Sequence, residues 1–152
     1  PQGIDIVPGP PSPFTLRTVD CFHDEVQGAK RGKNRIHILS AAGLTVVHLG
    51  DLGHPLSPQE SAAVGPVDAL LIPVGGYYTI DGETAAAVAA QLRPRVVIPM
   101  HYRGRGFGYE EISTVEPFLA KMTSVVRFGT SALTLTRATP PQVAVLHCPG
   151  EA

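Results

Sequence analysis

Apolar residues in this chain come in short runs, each closed by Gly, Pro, Asp or Ser. They fall at Phe14 to Val19, Arg35 to Leu39, Leu44 to Leu49, Ala69 to Ile72, Val96 to Met100, Val125 to Phe128, Leu133 to Thr136 and Val143 to Leu146. β-Branched residues between turn formers mark each run as a strand. Another short strand is expected at Ile4 to Val7, within the proline-rich opening "PQGIDIVPGPPSPF". The stretch "NRIHILSAAGLTVVHL" reads as two strands joined by a tight turn at Ala41-Ala42-Gly43. The runs "ALLIPV" and "VVIPM" are apolar at successive positions, as strands covered on both faces require.

Three helices interrupt this pattern. Ser57-Pro58-Gln59-Glu60 is a capping box with proline at the first helical position, opening a short helix through Val64. Asp81 caps "GETAAAVAAQL", which Pro94 stops, and its alanines suit a helix lying flat on a sheet. Ser113 and Glu116 read as a further capping box before "PFLAKM". The alternation predicts one α/β (α+β) domain over residues 1–152, with helices covering a sheet and no internal repeat.

Composition narrows the classes. The 152 residues suffice for a single core. Hydrophobic residues make up 43% and charged residues 16%, against about 25% charged in an ordinary soluble domain. Such a chain buries most of its apolar surface or covers an apolar face with a partner. The net charge is −1 and the longest basic block is Lys30-Arg31-Gly32-Lys33, which argues against nucleic acid as a partner. No apolar run reaches membrane-spanning length and no signal peptide is recognisable. Cys21 and Cys148 form neither a CxxC pair nor a disulfide framework, so a cytoplasmic protein with reduced thiols is expected. The chain opens on Pro1 rather than Met, and the expectation is a domain truncated on its N-terminal side.

Metal-ligating residue types recur at strand ends: His23-Asp24 after "LRTVDCF", Asp51 after "TVVHLG" and His101 after "VVIPM". Strand ends fix side chains while loops leave room for substrate, so three such ends point to one shared site. His54, three residues past Asp51, could reach a metal or substrate, or be a loop histidine before Pro55. His48 is expected to pack or hydrogen-bond behind Asp51, whereas His37 and His147 lie in strands and read as structural. Asp24 could orient His23, approach a metal or sit exposed. "GRGFG" at Gly104 to Gly108 reads as a flexible loop beside the site, with Arg103 and Arg105 available to an anionic substrate, and "GGYYTID" places Tyr77 or Tyr78 near the cleft. No serine or cysteine stands in a nucleophile motif such as G-x-S-x-G.

The segments "FHDEVQGAKRGKNRIHIL", "VVHLGDLGH", "VDALLIPVGGYYTID" and "VVIPMHY" resemble the metallo-β-lactamase superfamily. They most resemble its prokaryotic metal-dependent hydrolase branch, related to the sugar-lactone hydrolases, from about Gly3 to Leu146. The resemblance implies an αββα sandwich with one or two metals between the sheet edges. It makes His23 a terminal ligand of one metal, Asp51 a bridging carboxylate and His101 a terminal ligand of the other. Zinc is the implied metal, with manganese or iron as alternatives. The implied reaction is attack by metal-bound hydroxide on an ester, lactone, amide or phosphoester of a small-molecule substrate. The family's His-x-His-x-Asp-His signature is absent, because no two histidines here lie two residues apart. The chain therefore corresponds to the C-terminal portion of the fold, with an incomplete metal site, and is expected to be inactive by itself. The alternative is a truncated or degenerate non-catalytic scaffold that binds a partner or self-associates, as a homo-oligomer, through an exposed sheet.

Overall fold

Antiparallel pairing builds one side of the sheet and parallel pairing the other. In a computed structural model describing residues 12–149, the strands are β1 (Thr15–Phe22), β2 (Lys33–Ala41), β3 (Leu44–His48), β4 (Ala69–Pro73), β5 (Val96–Met100), β6 (Val125–Arg127) and β7 (Gln142–Val145). The helices are α1 (Pro58–Val64), α2 (Gly82–Leu92) and α3 (Glu116–Leu119). The strands form one seven-stranded sheet in the order β1-β2-β3-β4-β5-β7-β6. β1–β2 and β2–β3 are antiparallel and the remaining pairs parallel. The strand expected at Ile4 to Val7 lies outside the described residues.

The β2–β3 hairpin turns on Ala42 and Gly43, both at positive φ (50° and 71°), the backbone of a tight two-residue turn. α1 begins as its sequence dictates: Ser57 Oγ accepts from Glu60 N–H and the Glu60 carboxylate accepts from Ser57 N–H. Its far end is held by Arg17 of β1, whose guanidinium donates to the carbonyls of Ala63 and Val64, where a cation also meets the negative end of the helix dipole. Asp81 caps α2 by accepting from Thr84 N–H.

The main core lies between the sheet and the helices, with Ile36, Ile38, Val47, Leu70 and Ile72 packed against Val88 and Phe118. Among the described residues, the opposite face carries no helix. There Ala69, Val96 and Ala144 form a smaller cluster, partly covered by Leu133 and Leu135. Toward the sheet margins this face opens to solvent at Leu16 (57% exposed) and Val126 (43%). The architecture is α/β, and it forms one βα layer of the sandwich that the resemblance implies.

Two expectations change. The Ser113–Glu116 box does not form: Ser113 N–H donates to the Gly75 carbonyl and the Glu116 carboxylate accepts from Arg127, and the helix starts after Val115, with no side-chain cap. Leu133 to Thr136 is not a strand. Its leucines alternate inward as a strand's would, but they pack against the helix-free face of the sheet. At its end, Arg95 takes the carbonyls of Thr136, Arg137 and Thr139.

Candidate metal centre

β1, β3, β4 and β5 point the same way, so their C-terminal ends share one edge of the sheet. His23 follows β1, Asp51 follows β3 and His101 follows β5, which brings all three expected residues to that edge. The Nε2 atom of His101 stands 3.8 Å from Oδ1 of Asp51.

Glycines let the loops close on these residues. A Cβ on Gly53 would stand 2.2 Å from the backbone of His23 and Asp24, and one on Gly75 would stand 2.1 Å from the His101 carbonyl oxygen. Gly53 N–H donates to the Phe22 carbonyl, clamping the loop after Asp51 to the end of β1. His101 adopts φ 54°, a left-handed backbone that non-glycine residues rarely take.

Asn34, at the start of β2, positions Asp51. Its side-chain oxygen accepts from Asp51 N–H at 3.0 Å, and its amide donates to the Leu49 carbonyl at 2.8 Å. Gly50, at φ 60°, makes room, since a Cβ there would meet Asn34 Oδ1 at 2.5 Å. His48 accepts from Gly50 N–H through Nδ1 and so supports the turn before Asp51. Burial pushes the His48 imidazole pKa down, the neighbouring His37 adds to this, and Asp51 opposes it.

Asp24 is neither exposed nor free to meet a metal. Oδ1 accepts from Val26 and Gly28 N–H and Oδ2 from Lys30 and Arg31 N–H, so the carboxylate organises the loop after His23. Burial alone would raise its pKa, but the four backbone donors outweigh it and hold the carboxyl at about 2. His54 has both ring nitrogens engaged: Nε2 accepts from Phe22 N–H at 3.2 Å and Nδ1 donates to the Pro55 carbonyl at 2.7 Å. Its ring ties β1 to the next loop.

The donors present decide whether a metal fits this edge. Among the described residues, the buried side-chain nitrogen and oxygen atoms without a hydrogen-bond partner are His23 Nε2 and His101 Nδ1. Imidazole and carboxylate suit a divalent transition metal in kind. In number they fall short: among the described residues no three His, Cys, Asp or Glu side chains stand together as a set able to enclose an ion. The described residues do not by themselves fit a closed metal site.

Beside this edge, Tyr77, Tyr78 and Tyr109 form a chain of edge-on rings, with centroids 4.7 and 6.1 Å apart. Arg31 lies over the Tyr78 ring, 5.5 Å from its centroid. Burial, and after it the charge of Glu111, raises the Tyr78 pKa. The "GRGFG" segment is anchored: Gly104 N–H donates to the Phe107 carbonyl, Phe107 packs on Tyr102, and Arg103 Nε donates to the Ile112 carbonyl. Cys21 and Cys148 are both free thiols, and burial pushes the Cys21 thiol up to about 11. No helix among the described residues is long and apolar enough to cross a membrane.

The glycine contacts and the Asn34 clamp were not singled out from sequence. Asn34 left one signal, a poor strand former at the head of a β-branched run.

Residues 12–101 match the beta-lactamase superfamily domain. A protein of Carboxydothermus hydrogenoformans named a metal-dependent hydrolase is 40% identical over 97 residues, 59% of this chain and 41% of that protein. One of the same name from Thermoplasma acidophilum is 28% identical over 104 residues, 66% of this chain and 46% of its own. A solved structure of a metallo-β-lactamase superfamily protein from Thermotoga maritima superposes with a TM-score of 0.76 at 35% identity, covering 88% of this chain and 64% of that one. The chain thus spans less than half the length of these two curated relatives.

Proposed function

Since this chain belongs to the beta-lactamase superfamily, whose domain its residues 12–101 match, we propose that it forms the ligand-bearing sheet edge of a metal-dependent hydrolase. His23, Asp51 and His101 are the proposed ligands, and zinc the metal, with manganese or iron as alternatives. One observation carries this reading: two strand-end histidines flank Asp51 in the sheet order, His101 presenting Nε2 to Asp51 Oδ1 at 3.8 Å and His23 holding a buried Nε2 without a partner among the described residues, a state that costs stability unless something binds there. The names of the curated relatives support it. His54 is left out of the set because backbone groups occupy both its nitrogens. Further ligands are proposed to come from outside the described residues, from additional chain or from a second copy.

A bound divalent metal would acidify water and polarise a carbonyl or phosphoryl oxygen. The chain's own residues do the positioning. Asn34 and His48 hold the turn that presents Asp51, Asp24 orders the loop behind His23, and Gly53 and Gly75 bring the neighbouring loops against the two histidines. The substrate is proposed to be a small-molecule ester, lactone, amide or phosphoester.

The experiment is zinc binding by the full chain in competition with a chelating dye, together with metal content after purification without chelator. Each of His23→Ala, Asp51→Ala and His101→Ala is expected to weaken binding by roughly tenfold or more. Unchanged metal binding in all three refutes the assignment. The helix-free face exposing Leu16 and Val126 favours a second reading, a self-associating scaffold without catalysis. A metal-free dimer that dissociates on Leu16→Lys would support it over the first.

A further inference from the structure

Three loops meet beside the proposed ligands: the one after His23, the one after β4 and the one after His101. Each contributes to the aromatic cluster: Arg31 from the first, Tyr77 and Tyr78 from the second, Tyr109 from the third. The loops are tied to the ligand residues by backbone. Arg31 N–H is held by Asp24, next to His23. The turn bearing the two tyrosines starts at Gly75, which lies against the His101 carbonyl.

The cluster spends stability on exposure. Tyr77 is 63% exposed and Tyr109 69%, although both are large and partly apolar. Tyr77 also sits at φ 62°, a strained backbone for a bulky residue. Edge-on pairing, at interplanar angles of 73° and 63°, joins the three rings into one cluster in which Tyr77 and Tyr109 keep most of their surface exposed. Among the described residues Arg31 forms no ion pair, and its guanidinium face rests on Tyr78, which leaves its edge to meet an anion.

We propose that Tyr77, Tyr78, Tyr109 and Arg31 form a recognition platform for the non-reacting end of the substrate, a planar aromatic ring carrying an anionic group. The ring packs on the exposed tyrosines and the anion meets Arg31. This names a substrate class for the hydrolytic site proposed above and rests on that reading for its purpose, but the platform binds without the metal.

That independence sets the test. The chain has no tryptophan and four tyrosines, three of them in this cluster, so tyrosine emission reports on the platform directly. The chelator-treated 152-residue chain is titrated with 2-naphthoate, and in parallel with cyclohexanecarboxylate, which has the same charge without the aromatic ring. Calorimetry supplies the affinities. The expected result is quenching and binding by naphthoate, at least about tenfold weaker binding of the cyclohexane acid, and roughly three- to tenfold losses in Tyr109→Ala and in Arg31→Ala. Tyr109→Phe, which keeps the ring, should retain binding. Equal affinity for both acids, no binding of either, or naphthoate binding indifferent to Tyr109→Ala overturns the proposal. So does a dimer, seen by sedimentation, that dissociates in Tyr109→Ala. Because no metal is present, loss of zinc binding in the ligand variants speaks only to the hydrolase reading, and loss of naphthoate binding only to the platform.

Discussion

Gly53→Ala tests whether the site is built by close backbone approach. The added methyl would lie 2.2 Å from both the His23 carbonyl carbon and Asp24 N, and 2.5 Å from the His23 oxygen. Restoring an ordinary separation of about 3.5 Å requires the loop and the end of β1 to part by about 1.3 Å. That movement breaks the 3.0 Å bond from Gly53 N–H to the Phe22 carbonyl. Overpacking costs about 1–3 kcal/mol and the lost hydrogen bond about 1 kcal/mol, giving roughly 2–4 kcal/mol in all. For a chain of this length that lowers Tm by roughly 5–15 °C. The matched control is Gly129→Ala, where no atom lies within 4 Å of the new methyl; it should be neutral or gain up to about 1 kcal/mol through the unfolded state. Metal affinity should suffer more than stability, since ligand distances tolerate only about 0.2 Å and the parted elements carry His23 and Asp51. Thermal melts and dye-competition titrations of the two variants decide it. A Gly53→Ala protein that melts with Gly129→Ala and binds zinc like the parent refutes the argument.

Other expectations follow from the same geometry. Asn34→Asp keeps the acceptor for Asp51 N–H but turns a carboxylate oxygen toward the Leu49 carbonyl; it should weaken zinc binding about tenfold while costing about 1–3 kcal/mol, read by dye competition and urea melts. Phe118→Ala, fully buried under the sheet, should cost about 3–5 kcal/mol by urea unfolding. Asp68 is held below its ordinary 3.8, first by the Thr45 N–H, against burial, and then by Arg95. A depressed folded pKa stabilises the fold above the unfolded pKa, and the contribution disappears as pH falls through the folded value. Melts from pH 6 to pH 3 should therefore show a loss below about pH 4 that is shallower in Asp68→Asn.

What the sequence revealed depended on the range of the interaction responsible. The Ser57 box and the Asp81 cap are closed by hydrogen bonds spanning three residues, and both are legible in a four-residue window. Ser113 fits the same local rule and fails: its N–H goes to the distant Gly75 carbonyl and the Glu116 carboxylate to Arg127, so the reciprocal bond of the box is not made. Leu133 and Leu135 carry a strand's alternation without its pairing, since alternation records which side chains face apolar surface and not whether the backbone finds a neighbour. The placement of His23, Asp51 and His101 at one sheet edge was legible from strand ends, and their role as ligands is the proposal made above. The roles of Asp24 and His54 were not legible, because a carboxylate filled by four backbone donors and an imidazole held at both nitrogens look, in sequence, like any others. Glycines that permit contact leave no chemical signature at all.

The opposite edge of the sheet has a different character. Asp68 accepts from Thr45 N–H and from Arg95, and Arg95 reaches three carbonyls beyond it, so the starts of β3, β4 and β5 are riveted together. Of the seven strands, only β2 runs against the rest, so almost every strand leaves this fixed end and delivers its final residue to the other. Evolution can therefore exchange the loops at the other edge, lengthening one or recharging another, without loosening the foundation that keeps the strands in register. Those loops change as tenants do in a building whose frame stays put.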